Sequence, residues 1–344
     1  MNNYYSNRKL MSYDRNLFPF RFIIGARGIG KTYSMQNLLC NLYHKVKHLE
    51  SNPWNVDDLF LYLRLTKRQI ENLDNNVLDS KLEKKHNIKA EKVGHKIYYN
   101  GRHMGDALAI ADSPVHKGGN WQWRRYKYVI IDEFQRERRE RRTFDINYNL
   151  RSLLESVTRF STRLKEGYDL PIVIMMGNTV DEATDLLYAF DFMPLEHGMY
   201  VLKSKHAIIE YSANGAKYDA IQRRNPLRVL NTGDDFTFGE RRLEQRMKVR
   251  DWRNVGHLKY IAHLHITEYI RLEVWQAQAG FIYISKGLQT RKYHNRNFVI
   301  AKYAANKGTS YNIDFHKLIR QNYENDNIVF DKRITGVVFE QNLV

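Results

Sequence analysis

A chain of 344 residues is long enough for two domains with their own cores, and 43% hydrophobic with 13% aromatic residues excludes a disordered polypeptide. Lys and Arg outnumber Asp and Glu by 55 to 38, a net charge of +17 that favours a polyanionic partner, nucleic acid before others. The single Cys40 excludes an internal disulfide and a thiolate metal cluster, no apolar run reaches the length of a membrane span, and Met1 to Leu10 is polar, so a soluble cytoplasmic protein is expected.

Residues 1 to 19 form a polar and aromatic lead-in, placed to flank a nucleotide base or to cover a sheet edge. An apolar run, Phe20 and Phe22 to Ile24, then enters Gly25-Ala26-Arg27-Gly28-Ile29-Gly30-Lys31-Thr32, which matches the phosphate-loop pattern G-x-x-x-x-G-K-[ST] at every defined position. Glycines let the backbone N–H groups turn toward phosphates, and the positive end of the following helix adds to their field. In such a loop Lys31 reaches the β- and γ-phosphates and the Thr32 hydroxyl ligates Mg²⁺, so ATP and Mg²⁺ are the expected cofactors. Met35, Leu38, Leu39, Leu42 and Val46 recur at helical spacing after the loop, and Leu59 to Leu65 reads as a buried strand ending in Arg64. Strand, loop, helix and strand suit a doubly wound parallel sheet.

Lys96 to Asn100 and Arg102 to Ala111 predict a hairpin about Asn100-Gly101, followed by a turn-rich loop, Ser113 to Asn120. Lys117 in that loop is either a solvated lysine or one that reaches a phosphate. Tyr128-Val129-Ile130-Ile131-Asp132-Glu133 reads as a buried strand with two carboxylates where it emerges. In a phosphate-loop protein the first, Asp132, holds Mg²⁺, and the second, Glu133, orients and deprotonates the attacking water. Arg136 to Arg142 is a charged surface. Leu150, Leu153, Leu154, Val157, Phe160 and Leu164 predict one helix whose opposite face carries Arg159 and Arg163, either solvated or presented to a neighbouring subunit. The buried run Pro171 to Met176 ends in Gly177-Asn178-Thr179, where Asn178 either senses the γ-phosphate or caps a helix expected from Asp181 onward.

Residues 198 to 213 read as further strands, and Lys217 to Val249, rich in arginine and breakers, as a linker. The predicted division is therefore 1–213, 214–249 and 250–344. In the last part, stretches from His257 to Trp275 and Phe281 to Ser285 read as strands and Leu318 to Tyr323 as helix. His263 and His265 share a strand face. Only Glu268 and Glu273 lie on the central strands, too few carboxylates for a two-metal nuclease, whereas Lys259, Arg271, Lys286, Arg291, Lys292 and Arg296 suit phosphate contacts without base reading.

Three stretches resemble the DNA-packaging motor ATPases of phi-29-like tailed phages, relatives of the large terminase ATPases: Ser12-Tyr13-Asp14-Arg15, Phe22 to Lys31, and Asp132-Glu133-Phe134. The resemblance implies an α/β fold, with a P-loop ATPase domain of the type having an extra strand between the two nucleotide motifs. It also implies a smaller α+β carboxyl-terminal domain resembling a vestigial RNase H-like nuclease without nuclease activity. Carried across, it assigns Lys31 and Thr32 to phosphate and Mg²⁺, Asp132 to the metal, Glu133 to water activation and Arg159 to a trans-acting arginine, with Arg163 in reserve. It makes Arg27 a contact to the γ-phosphate or an adjacent subunit, Lys117 a lid lysine reaching across subunits, and Asn178 the residue coupling hydrolysis to movement. The implied protein is an ATP-hydrolysing motor that drives double-stranded DNA into an empty capsid. Its partners would be the capsid portal, copies of itself in a ring (a pentamer by the same resemblance) and, as in some relatives, a structural packaging RNA; it would act in the host cytoplasm at the portal vertex. A helicase, a filamentous-phage-type assembly ATPase and a non-catalytic ATP-dependent nucleic-acid scaffold are the alternatives.

Overall fold

The computed structural model describes residues 5–26, 28–50, 52, 54–73, 77–132, 145–178, 184–194, 196–213, 247–266, 270–287, 297–299 and 310–343. Arg27, Glu133, Phe134, Arg136 to Arg142, Glu268, Arg291, Lys292 and Arg296 lie outside the described residues, as does most of the expected linker, 214–246. The chain divides into two units. The first holds Met1–Glu140, Ile146–Ala183 and Pro194–Arg241; the second holds Arg141–Asp145, Thr184–Met193 and Arg242–Val344.

The first unit is built on a nine-stranded sheet, and its described helices include α1 (Arg8–Met11), α2 (Lys31–Val46), α3 (Lys67–Glu71) and α4 (Ser80–His86). In chain order its strands are β1 (Phe20–Ile24), β2 (Leu59–Arg64), β3 (Ala90–Val93), β4 (Lys96–Tyr99), β5 (Arg102–Ala109), β6 (Tyr126–Asp132), β7 (Ile172–Gly177), β8 (Gly198–Leu202) and β9 (Ala207–Tyr211). Their spatial order is β3-β4-β5-β2-β6-β7-β1-β9-β8. The six from β5 to β9 in that order run parallel, and the antiparallel strands β3, β4 and β8 form the margins. β7 lies between β1, which carries the phosphate loop, and β6, which ends in Asp132, so the extra strand between the two nucleotide motifs is present.

The central strands are near-continuous apolar runs because both faces are covered. Ile23, Phe60, Tyr62, Ile130, Ile174 and Met176 join one core with Met35, Leu39, Leu42 and Val46 of α2 (Lys31–Val46). The alternate residues Phe22, Ile24, Leu61, Leu63, Val129, Ile131, Val173 and Met175 are buried as well. The expected turn is confirmed at Asn100 (φ 48°) and Gly101 (φ 76°). β3, with its polar sequence Ala-Glu-Lys-Val, carries no strand pattern in the sequence, and the first part of the expected Ser113 to Asn120 loop lies in a 3-10 helix, Ile110–His116.

The lead-in serves two ends of this unit. Tyr5 N–H donates to the Ile29 carbonyl of the phosphate loop at 2.9 Å and Asn7 N–H to Ser34 Oγ at 3.3 Å. Farther on, Arg15 pairs with Asp57 and donates to the Leu170 carbonyl at 2.7 Å, contacts that precede β2 and β7 and so lie at the opposite end of the strands from the loop. Arg15 is therefore a clamp on the sheet, while Tyr5 reaches the loop and Asn7 the helix that follows it. Buried Arg21 fastens the intervening turn by donating to the carbonyls of Phe18, Leu10 and Tyr13 at 3.2, 2.9 and 2.9 Å.

One sequence expectation is corrected. Leu150 to Leu164 is not one helix but two, α5 (Ile146–Thr158) and α6 (Phe160–Glu166), because Arg159 between them is left-handed at φ 51°. That break shifts the helical phase. Leu164, expected in the apolar stripe, is exposed, whereas Arg163, expected on the polar face beside Arg159, is fully buried. Its guanidinium donates to the carbonyls of Asp169 at 2.6 Å, Tyr126 at 2.9 Å and Trp123, tying α6 to the start of β6. Burial pushes its pKa down to about 10, which leaves it charged at neutral pH. Arg163 is thus unavailable to a neighbour. Replacing it by Ala strands three carbonyls, and denaturant unfolding of Arg163→Ala should show a loss of about 3 kcal/mol in the first unit; an unchanged midpoint would contradict this role.

The second unit holds a six-stranded sheet of β10 (Lys248–Val249), β11 (Leu258–His265), β12 (Arg271–Ala277), β13 (Ile282–Ser285), β14 (Asn297–Val299) and β15 (Ile328–Phe330). The order is β10-β15-β13-β12-β11-β14, with β12 antiparallel to both its neighbours, β11 and β13, and β14 parallel to β11. Lys248 and Val249, placed in the linker by sequence, pair with β15. Among the described residues of this unit, three α-helices are α7 (Thr184–Phe190), α8 (Ile313–Glu324) and α9 (Arg333–Leu343).

Candidate active site

The phosphate loop leaves β1 at its carboxyl end, where Gly25 N–H donates to the Gly177 carbonyl at 3.2 Å. A Cβ on Gly25 would sit 2.9 Å from Ile29 Cδ1 and 3.0 Å from the Ser212 carbonyl oxygen, so only glycine allows this approach. Gly28 and Gly30 have φ of 82° and 100°, and Gly30 caps α2 in the left-handed region that side chains disfavour. The loop thus delivers Lys31 and Thr32 on the first turn of α2, at the positive end of its dipole.

Four groups named from sequence meet here. Lys31 is buried, and its ammonium donates to the carbonyls of Gly25 at 2.5 Å and Ala26 at 2.9 Å and to Asn178 Oδ1 at 3.4 Å. Asn178 follows the last residue of β7, so the strand next to the loop supplies a polar group to the loop lysine. The Thr32 hydroxyl lies 3.5 Å from Asp132 Oδ1. Two hard oxygen donors converging from a helix start and a strand end fit Mg²⁺, which takes one or two protein oxygens and completes its shell with water and phosphate.

Two residues without an assigned role in the sequence complete this corner. The Tyr62 hydroxyl donates to Asp132 Oδ2 at 2.6 Å, and Arg64 Nη2 lies 3.0 Å from the same oxygen. Both come from β2, the neighbour of β6, with Tyr62 opposite Ile130 in register. Burial, and next the Asp132 carboxylate, push the Tyr62 hydroxyl well above its ordinary pKa, so it stays a donor. Arg64 carried a sequence signal, a polar residue closing a buried strand, the same that singled out Asn178; Tyr62, inside the strand, carried none. Groups that orient a metal-binding carboxylate tune the affinity of the site by about 10- to 100-fold. Tyr62→Phe should therefore raise the Mg²⁺ concentration that supports half-maximal ATP turnover by about tenfold; an unshifted Mg²⁺ titration would remove Tyr62 from this role.

Two further candidates of the first unit, Lys117 and Arg159, are described and stand apart from these contacts. Lys117 is exposed at the end of the 3-10 helix and makes no hydrogen bond or ion pair with the phosphate loop among the described residues. Arg159 is exposed at the α5–α6 junction. In the second unit, His263 accepts or shares a proton with the Tyr260 hydroxyl at 2.7 Å and lies 3.7 Å from Glu273, and His265 contacts Asn297 at 3.1 Å. Among the described residues no group of three or more His, Cys, Asp or Glu side chains is placed to hold a metal, and no described helix is long and apolar enough to cross a membrane. Lys286, expected at a phosphate, instead lies against Tyr188 and Asp191 of its own unit.

Residues 1–237 match the Podovirus DNA encapsidation protein (Gp16) family. The chain belongs to that family. The match covers the loop, Asp132 and Asn178 together. Among relatives, the DNA packaging protein of Bacillus phage phi29 is 26% identical over 192 residues, 56% of this chain and 51% of the relative. That of Bacillus phage B103 is 30% identical over 130 residues, 38% of this chain and 35% of the relative. The chain thus spans about half the length of the phi29 relative or less. The fold is shared more widely. A chain of the bacteriophage Phi-29 viral genome packaging motor assembly superposes with a TM-score of 0.63 at 19% identity, covering 98% of each chain. The Phi-28 gp11 DNA packaging motor gives 0.61 at 15% identity, covering 100% of this chain and 98% of that one.

Proposed function

We propose that this protein is an ATP-hydrolysing motor that translocates double-stranded DNA into an empty phage capsid through its portal. The observation that carries the reading is the meeting of Lys31, Thr32, Asp132 and Asn178 at the carboxyl ends of three adjacent parallel strands, in a chain of an encapsidation family. Lys31 holds the β- and γ-phosphates against the loop, and Thr32 and Asp132 hold Mg²⁺, which neutralises the triphosphate's charge when bound. Asn178, in contact with Lys31, reads whether the terminal phosphate is present. Glu133, the residue after Asp132, takes the proton from the attacking water. The net charge of +17 supplies sequence-independent attraction to the DNA backbone.

A motor of this kind works as a homo-oligomeric ring, read as a pentamer on the family resemblance. Arg159 of one subunit enters the site of the next, and Lys117 and Arg27 add cationic contacts at that shared boundary. The portal, and a structural RNA where one exists, anchor the ring at the capsid vertex in the host cytoplasm. Residues 1–213, less 184–193, carry ATP hydrolysis, the chain before Lys248 links, and the second unit's sheet from Lys248 onward contacts DNA without cutting it.

Two measurements separate this reading from its alternatives. Glu133→Gln should bind ATP with unchanged affinity and hydrolyse it at least about 100-fold more slowly, a trapped state that an ATP-binding scaffold would not show. On a forked duplex, the wild-type protein should hydrolyse ATP without separating the strands; strand separation would make it a helicase.

A further inference from the structure

α7 occupies an unusual place in the chain. By sequence it sits between β7 and β8, both strands of the first unit's sheet, yet Thr184–Met193 counts with the second unit. Its Leu186, Leu187 and Tyr188 are buried, and the helix packs against α9. The chain that leaves Asn178 is therefore anchored in the second unit from Thr184 onward, before returning to β8.

The anchor is an ionic clamp at Asp191, the residue after α7. Asp191 pairs with Lys332, which immediately precedes α9, and lies 3.6 Å from Lys286, which follows β13. Lys286 also donates to the Tyr188 carbonyl at 2.6 Å and sits 4.2 Å from the Tyr188 ring centroid. Its own N–H donates to Asp331 Oδ2 at 3.0 Å.

Local rules oppose this choice of residues. α7 ends with Phe192 N–H on the Leu187 carbonyl and Asp191 N–H on that of Tyr188, the double bond of a Schellman cap, with Asp191 left-handed at φ 56°. Gly or Asn suits that position, and a carboxylate there faces the negative end of its own helix. Lys332 likewise places a cation at the positive end of α9. Each charge is unfavourable for its own helix, and the pairing between them is what offsets both. A local rule broken with a specific tertiary compensation marks a functional constraint rather than a stability device.

We infer that Asp191, through Lys332 and Lys286, is the positioning residue that delivers movement at Asn178 to the DNA-contacting unit, with α7 as the rigid link. This deepens the motor reading and rests on it. The clamp has no part in hydrolysis. Loosening it should leave ATP binding and turnover intact and reduce the work obtained from each ATP.

Asp191→Asn is the informative variant, since Asn is at home in a left-handed cap and removes only the charge. Lys332→Gln, at a half-exposed side chain, is a second variant that breaks the same pair without touching the cap. Full-length wild type and both variants are compared in packaging of duplex DNA into cognate empty capsids, with base pairs protected and ATP consumed measured together, and KM for ATP and thermal midpoints as controls. Both variants should keep the wild-type KM and turnover while packaging about fivefold or more fewer base pairs per ATP. Wild-type yield per ATP in both would overturn the inference while the motor reading stands. Wild-type protein that hydrolyses ATP but packages nothing would overturn the motor reading, and this inference with it.

Discussion

Lys31→Ala should lower ATP turnover by about 1,000-fold, close to 4 kcal/mol of lost transition-state stabilisation. The buried ammonium is held by the Gly25 and Ala26 carbonyls and by Asn178, so its position is set before the triphosphate arrives. A charge preorganised in a closed site is worth far more than one on a mobile side chain, because nothing has to be reoriented as negative charge develops on the terminal phosphate. Lys31→Arg should not rescue turnover, since a planar guanidinium cannot occupy the small space bounded by the Gly25 and Ala26 carbonyls. A steady-state assay with saturating Mg²⁺ and ATP checks both; turnover within tenfold of wild type in Lys31→Ala would contradict the assignment.

The second large effect is expected at Arg159. Among the described residues no hydrogen bond or ion pair holds its exposed guanidinium, and the left-handed backbone at the α5–α6 junction turns this residue out of both helices. An arginine that completes a neighbour's site contributes about 10³- to 10⁵-fold in turnover. Arg159→Ala should accordingly abolish the rise in ATP turnover that accompanies assembly while leaving ATP binding nearly intact. Mixing sharpens the result: Arg159→Ala subunits supply intact phosphate loops and Lys31→Ala subunits supply intact arginines, so rings of the two together should regain part of the stimulated rate. Full stimulation in Arg159→Ala alone would remove the residue from the mechanism.

The phosphate loop was legible because its chemistry is local: eight consecutive residues fix the turn, the lysine and the hydroxyl. Asp132 and Asn178 were legible for a related reason, each being a polar residue that closes a buried strand. What escaped depends on contacts between distant segments. Tyr62 and Arg64 reach Asp132 only because β2 lies beside β6, a neighbour relation that the strand sequence does not encode by itself. Arg163 was misplaced for a different reason. Helical periodicity extrapolates from one turn to the next only while the backbone stays helical, and a single left-handed arginine reset the phase and moved a cation from the surface to the core. Lys286 and α7 illustrate the third limit: a basic residue in a basic domain reads as a phosphate contact until its partner, Asp191, arrives from about ninety residues earlier in the chain.

These particulars also separate the roles of the arginines. Arg15, Arg21 and Arg163 hold backbone carbonyls or carboxylates and keep the first sheet together, whereas Arg64 faces the Asp132 carboxylate and Arg159 faces outward. Net charge alone would have assigned all five to nucleic acid.

In the proposed motor, ATP spent at Lys31 moves duplex DNA into a capsid. The most direct measurement mixes the purified protein with cognate empty capsids, duplex DNA and ATP, adds nuclease, and quantifies the DNA that survives. Full-length DNA should be protected only with hydrolysable ATP, and none should be protected with Lys31→Ala. DNA that stays fully nuclease-sensitive while the wild-type protein hydrolyses ATP would contradict it.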